Sequence, residues 1–185
     1  MLFDEPIKLP FISVKKQFKK RPLLYILNDR VVSVTGFAPK INSVPEYSTG
    51  TPDEVAIFRT AKGALIKIFV SFGLNRPCIH NFCLYGTKGT LETDRVRPYS
   101  TNASLKVVEN IDEKMIEIPT GTGYPGFEGG HGGADSKMLQ AFIDCVYNGT
   151  KPPLDATLGI NFSLPGIIAH ESVKQGSREL EIPQF

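Results

Sequence analysis

The sequence predicts an α+β domain, an open and largely antiparallel sheet with helices packed on one face. Two observations carry this. Strand-like runs follow one another between residues 54 and 118 through short turns of hairpin composition. Helical periodicity appears only afterwards, between residues 134 and 176, without the repeated βαβ alternation of a parallel sheet. A third observation sets the scale: 185 residues, 41% hydrophobic and 22% charged, supply one substantial core and are short for two.

Residues 1–21 form an atypical basic segment, with Lys15-Lys16 and Lys19-Lys20-Arg21, and their apolar residues show no period, so no element is assigned there. Residues 22–185 are expected to form a single domain. Pro22 to Asn28 reads as a short helix opening at a proline, and the β-branched run Arg30 to Phe37 reads as a strand. Glu54–Thr60, Ala64–Leu74, Pro77–Tyr85 and Gly89–Thr93 follow as an antiparallel meander, joined by Lys62-Gly63, Asn75-Arg76 and Thr87-Lys88-Gly89. Within the second of these, Ile66, Ile68, Val70 and Phe72 share one face. Leu65, Lys67, Phe69 and Ser71 share the other, and such a half-apolar outer face predicts a partner, here a second copy of the chain. Ser104–Glu109 and Lys114–Ile118 add two shorter strands.

A helix then starts near Asp135 or Ser136, either of which can cap it. Met138, Phe142 and Cys145, flanked by Leu139, Ile143 and Val146, recur at three and four residues, so this stripe is expected to face a core. Asn148-Gly149 ends the helix. A second helix runs from Asp155 with Ile160, Leu164, Ile167 and Ile168 near one face, and Pro165-Gly166 is expected to kink or break it. Gly176 closes it, and Glu179–Ile182 is a last short strand.

Composition narrows the function. A net charge of +2 gives no concentrated basic face, so nucleic acid is not an expected partner. No apolar run approaches the roughly 18 residues of a membrane span, and the acidic Met-Leu-Phe-Asp-Glu-Pro start is unlike a signal peptide. Cytoplasmic localisation and no membrane partner are therefore expected. Cys78, Cys83 and Cys145 have neither metal nor redox spacing, and no metal site is expected.

The candidate site is the loop before the first long helix, Gly126-Phe-Glu-Gly-Gly-His-Gly-Gly-Ala-Asp135. Its glycines permit close backbone approach. His131, between Gly130 and Gly132, is the candidate ligand contact, and Asp135 could orient it or cap the helix. His80, in a strand, and His170, in a helix, are read as structural. The run Gly121-Thr-Gly-Tyr-Pro-Gly126 has dinucleotide-binding spacing but fails in context. Pro125 and the loop beyond it prevent a helix from opening at the third glycine, so no helix N-terminus meets a pyrophosphate. No catalytic or cofactor-binding residue is assigned.

Four stretches in order carry a family resemblance: Cys83-Leu-Tyr-Gly-Thr-Lys-Gly-Thr-Leu-Glu-Thr, Gly130-His-Gly-Gly-Ala-Asp, Asn148-Gly-Thr-Lys-Pro-Pro-Leu-Asp and Leu164-Pro-Gly-Ile-Ile-Ala-His-Glu-Ser. From about Pro22 to Phe185 the chain resembles the C-terminal domain of the glucose-fructose oxidoreductase, inositol dehydrogenase and MocA (Gfo/Idh/MocA) family, nearest its NAD-dependent glycosidase branch. The resemblance implies an α+β domain that completes a sugar site and pairs subunits through its sheet. It also implies NAD(P) in full-length relatives, held by a preceding Rossmann domain. The 21 residues ahead of Pro22 are too few for one roughly 30-residue βαβ unit, so no cofactor is expected on this chain. The branch's catalytic Tyr-x-x-His aligns with Lys15 and Phe18, and phenylalanine transfers no proton.

Three readings follow. The chain is a truncated sugar oxidoreductase or glycosidase, inactive alone; or a non-catalytic oligomerisation or carbohydrate-binding module; or an enzyme completed by a Rossmann domain on another chain.

Overall fold

The computed structural model describes residues 11–15, 20–41, 52–72, 81–87, 89–93, 102–107, 116–119, 134–152 and 154–185. The strands are β1 (Phe11–Lys15), β2 (Val31–Phe37), β3 (Asp53–Thr60), β4 (Leu65–Ser71), β5 (Phe82–Gly86), β6 (Gly89–Thr93), β7 (Asn102–Val107), β8 (Ile116–Pro119) and β9 (Leu180–Glu181). The helices are α1 (Lys20–Leu27), α2 (Ala134–Asn148) and α3 (Ala156–Lys174). Among the described residues the strands form one sheet in the order β8-β7-β6-β5-β1-β4-β3-β2-β9, antiparallel except where β1 runs parallel to β4. The α+β class is therefore observed.

The expected meander is interrupted. β1, from the segment given no element, lies between β4 and β5, pairing Phe11 with Leu65 on one side and with Tyr85 on the other. Five residues are too short for a period to declare itself, and flanking lysines and prolines masked the strand. The hairpin from β3 to β4 matches the reading. Gly63 takes φ +90° at its turn, and Thr60 closes it from both ends, its N–H donating to the Ala64 carbonyl and its hydroxyl accepting from the Ala64 N–H, each at 2.9 Å.

The core lies between the sheet and the two helices α1 and α3. Two cross-strand rows, Val34–Phe58–Ile66 and Gly36–Ala56–Ile68, face the helices. Apart from the glycine, every member is a buried apolar side chain. Leu23 and Leu24 of α1 and Ala169 of α3 close over them, with Ile182 beside β9. Burying a side chain of the size of Phe58 or Ile66 contributes about 2–3 kcal/mol.

Gly36 is where α3 meets the sheet. A Cβ there would lie 2.2 Å from the Ala169 carbonyl oxygen and 3.0 Å from Val173 Cγ2. Ser172, wholly buried, accepts a hydrogen bond from the Gly36 N–H at 2.9 Å and donates one to the Arg178 carbonyl at 2.5 Å. One hydroxyl thus joins β2, α3 and the turn into β9. That turn is a Schellman closure: Ser177 N–H reaches the Ser172 carbonyl at 2.8 Å and Gly176 N–H the Val173 carbonyl at 3.1 Å, with Gly176 at φ +74°.

Two helix expectations are revised. Of the kink or break expected at Pro165-Gly166, the break does not occur: α3 runs unbroken from Ala156 to Lys174. The proline ring is itself fully buried, and packing offsets the missing backbone donor. The buried face of α3 is Pro165, Ala169 and Ser172, while Ile160 and Ile167 are exposed. The stripe of α2 does not face a core either: Met138, Leu139, Phe142, Ile143 and Val146 are exposed.

Gly36→Ala is expected to cost about 2–4 kcal/mol, because its methyl group meets helix backbone rather than a movable side chain. Ser172→Ala is expected to cost about 1–3 kcal/mol by stranding two buried polar groups. Denaturant unfolding monitored by circular dichroism checks both, and a loss below about 0.5 kcal/mol for Gly36→Ala contradicts the contact.

Candidate functional site

Of the four candidate site residues Gly130, His131, Gly132 and Asp135, the structure describes Asp135; the other three lie outside the described residues, as do His80, Cys78 and Gly121 to Gly126. α2 begins at Ala134, so Asp135 sits in its first turn rather than at the cap, with its side chain exposed. A carboxylate there favours the positive end of the helix.

α3 has a defined cap. Asp155 Oδ1 accepts from the Leu158 N–H at 2.8 Å, and Oδ2 pairs with Lys151 Nζ at 2.8 Å. The Lys151 contact, followed by the Leu158 hydrogen bond, lowers the Asp155 carboxyl below its ordinary value. An anion approaching either of these helix starts meets a carboxylate first, so neither cradles a pyrophosphate. Among the described residues no group of three or more His, Cys, Asp or Glu side chains is placed to hold a metal ion. No helix among them is long and apolar enough to cross a membrane.

Three polar clusters do exist. At the β2–β3–β9 edge, Glu179 Oε1 accepts from Ser33 Oγ at 2.6 Å and from Arg59 Nε at 3.2 Å. The Ser33 hydrogen bond first, then the charge of Arg59, lowers the Glu179 carboxyl. An acceptor already holding two donors is a poor general base. It borders an open cleft of about 670 Å³ lined by Arg30, Val32, Ser33, Glu179, Glu181, Ile182 and Gln184.

On β5 and β6, Tyr85 Oη donates to Glu92 Oε1 at 2.5 Å, and Cys83 Sγ lies 3.3 Å from Asn81 Oδ1. Glu92, and then Cys83, push the Tyr85 phenol well above its ordinary range, so it stays a donor. Between α3 and β3, His170 Nδ1 meets Glu54 Oε1 at 2.6 Å, which suits the structural reading of His170. Sequence reasoning passed over the first two clusters. The Tyr85–Glu92 pair was legible, since the hairpin register Cys83↔Glu92 and Tyr85↔Thr90 sets the two side chains diagonally on one face. The Glu179 cluster was not, because 146 residues separate its hydrogen-bonded partners Ser33 and Glu179.

The sheet and its covering helices define the class, an α+β domain with the fold found in solved oxidoreductases. An oxidoreductase domain protein from Kribbella flavida superposes with a TM-score of 0.70 at 13% identity, covering 97% of this chain and 60% of that one. A levoglucosan dehydrogenase in complex with NADH and levoglucosan gives 0.71 at 13% identity, with 95% and 58% covered. In sequence, residues 40–185 match the glycosyl hydrolase 109 C-terminal domain. The chain belongs to that family. It is 31% identical over 136 residues to a glycosyl hydrolase family 109 protein of Solibacter usitatus, covering 71% of this chain and 31% of that protein. It is 24% identical over 141 residues to an alpha-N-acetylgalactosaminidase of Tannerella forsythia, covering 70% and 29%. The chain thus spans about a third of the length of these curated relatives.

The lowered Glu179 carboxyl carries a pH signature. Its contribution is fully present above the ordinary value of 4.5 and is lost as pH falls through its lower folded value. The stability difference between wild type and Glu179→Gln is therefore expected to be constant from pH 5 to 7 and to shrink towards pH 3. Urea midpoints across that range, about pH 3–7, check it.

Proposed function

We propose that this domain is the sugar-side half of a family 109 enzyme: it contributes a binding surface for a polyhydroxylated ring and pairs subunits, and does no chemistry alone. The observation that carries the reading is the family match over residues 40–185 in a chain that spans 31% of its Solibacter usitatus relative. The levoglucosan bound to the dehydrogenase, the myo-inositol bound to a structurally similar inositol dehydrogenase homolog of Azotobacter vinelandii and the alpha-N-acetylgalactosaminidase relative support cyclic polyols as the ligand class.

His131 is the proposed ligand contact, one ring nitrogen donating to or accepting from a sugar hydroxyl. Gly130 and Gly132 let the backbone come close, and Asp135 provides an acceptor at the start of α2. NAD(P) would supply hydride acceptance in a whole enzyme. The starts of the two long helices, α2 and α3, carry Asp135 and Asp155, so neither offers a pyrophosphate an open helix N-terminus.

The outer sheet face is the proposed subunit surface. Its rows Thr35–Ile57–Lys67 and Phe37–Val55–Phe69 turn away from the helices, with Phe37 45% and Ile57 37% exposed. Sedimentation velocity at tens of micromolar is expected to show a dimer that Ile57→Asp, placed in this apolar patch, converts to monomer. A wild-type monomer contradicts the pairing.

Calorimetric titration with N-acetylgalactosamine, myo-inositol and levoglucosan tests the ligand class. At least one is expected to bind, His131→Ala to weaken it about 2–10-fold, as for one lost hydrogen bond, and melting temperature to stay unchanged. NADH is expected to give no saturable heat. A large drop in melting temperature would make His131 structural, and micromolar NADH binding would refute the division of labour.

A further inference from the structure

The sheet consists of two halves joined by one strand. β2, β3 and β4 are antiparallel neighbours in chain order, with β9 beside β2, and β5 to β8 are antiparallel neighbours in the same way. β4 and β5 are not neighbours. Between them runs β1, its residues Phe11 to Lys15 parallel to Leu65 to Phe69 and its residues Phe11 to Val14 antiparallel to Phe82 to Tyr85. Among the described residues every extended contact between the two halves passes through β1, and neither α1 nor α3 makes one with β5 to β8. Each half is built from strands close in sequence, whereas β1 pairs with residues more than 50 positions away. Local pairings form ahead of such distant ones, so the halves are expected to form before β1 fills the channel between them.

The channel has a defined chemistry. On the helix-facing side Ile66 and Ile68 of β4 are buried, and Phe82 and Leu84 of β5 pack against the same core. Register sets position 12 of β1 between Ile66 and Leu84, and position 14 between Ile68 and Phe82. On the opposite face position 13 falls between Lys67 and Cys83. Both flanking strands present backbone donors and acceptors, which an extended segment satisfies whatever its side chains. In strand addition of this kind the main-chain bonds give affinity, and alternate side-chain positions give selectivity.

We propose that the channel between β4 and β5 is a peptide-binding site, and that residues 11–15 are its resident, replaceable ligand. The ligand class is an extended peptide with β-branched apolar residues at its second and fourth positions and a small residue between them, as in Phe-Ile-Ser-Val-Lys. Left empty, the channel would expose two unpaired strand edges at the centre of the sheet, a template for any extended segment. The site takes no residue from the proposed sugar contact at His131, so the two readings fail separately.

The test uses the full chain in two forms. In the first, a specific protease site is placed within residues 16–19 and the folded protein is cut there. The cut segment is expected to stay bound in native gel filtration, and to be displaced by an excess of a fluorescent synthetic peptide of residues 9–17. The same peptide with Ile12→Asp and Val14→Asp is expected to bind at least about 100-fold more weakly, because each aspartate stands in register with a buried isoleucine, Ile66 or Ile68. In the second form, Ser13→Pro breaks the ladder in the middle of β1. Amides of β5 to β8 are expected to lose at least about 100-fold in hydrogen-exchange protection while Val34 and Phe58 keep theirs, and the unlabelled peptide to restore it. Three results overturn the proposal: a cut segment that leaves while β5 to β8 stay protected, a labelled peptide that fails to displace it or binds as tightly with both aspartates, or a Ser13→Pro chain in which both halves of the sheet keep or lose their protection together.

Discussion

The fold depends on one close approach, the backbone of α3 against the backbone of β2 at Gly36. Only a residue without a side chain lets the Ala169 carbonyl come so near, and the approach brings Ser172 within reach of the Gly36 amide. From there the hydroxyl passes on to Arg178, which fixes where the chain leaves α3 and enters β9. The rows Val34–Phe58–Ile66 and Ala56–Ile68 are then covered at a set distance, with α1 filling the remaining space through Leu23 and Leu24. A polar bond is central here because it is buried and saturated; a hydroxyl in that position with one partner missing would weigh against the fold.

The same geometry leaves the domain one-sided. Helices cover the sheet beside β2 to β4, the opposite face is half apolar, and α2 presents its stripe outwards. The exposed apolar side chains are thus distributed over two separate faces. The proposed subunit surface is the outer sheet face, separate from the apolar stripe of α2.

Much of this was legible in the residues, and the misses have physical causes. β2, β3, β4, β6 and both long helices announce themselves through β-branched runs, Gly63 and Gly176 at positive φ, and three-four spacing. The hidden strand β1 is five residues long and pairs with β4 from more than 50 positions away, a contact that local pattern does not encode. The stripe of α2 was read correctly as apolar and wrongly as buried, because periodicity identifies a face that wants cover without saying which body covers it. Pro165 does not end α3, where burial of its ring accompanies continuation of the helix. Gly36 looked like an ordinary strand glycine, a weak point in propensity terms, until the helix above it was in place. Of the candidate site, Asp135 was placed within one residue of the helix start, while the polar cluster at Glu179 needed the tertiary fold to assemble.

The central claim, that the β2–α3 contact organises the domain, is tested most directly by native-state hydrogen exchange of the Gly36 amide in the intact chain. Its partner is the Ser172 hydroxyl at 2.9 Å, so its exchange reports that contact and no strand pairing. The account predicts that Gly36 exchanges only through global unfolding, as slowly as Val34 and Phe58. Exchange of Gly36 well ahead of those two would show the helix lifting from a sheet that holds together without it, and would contradict the account.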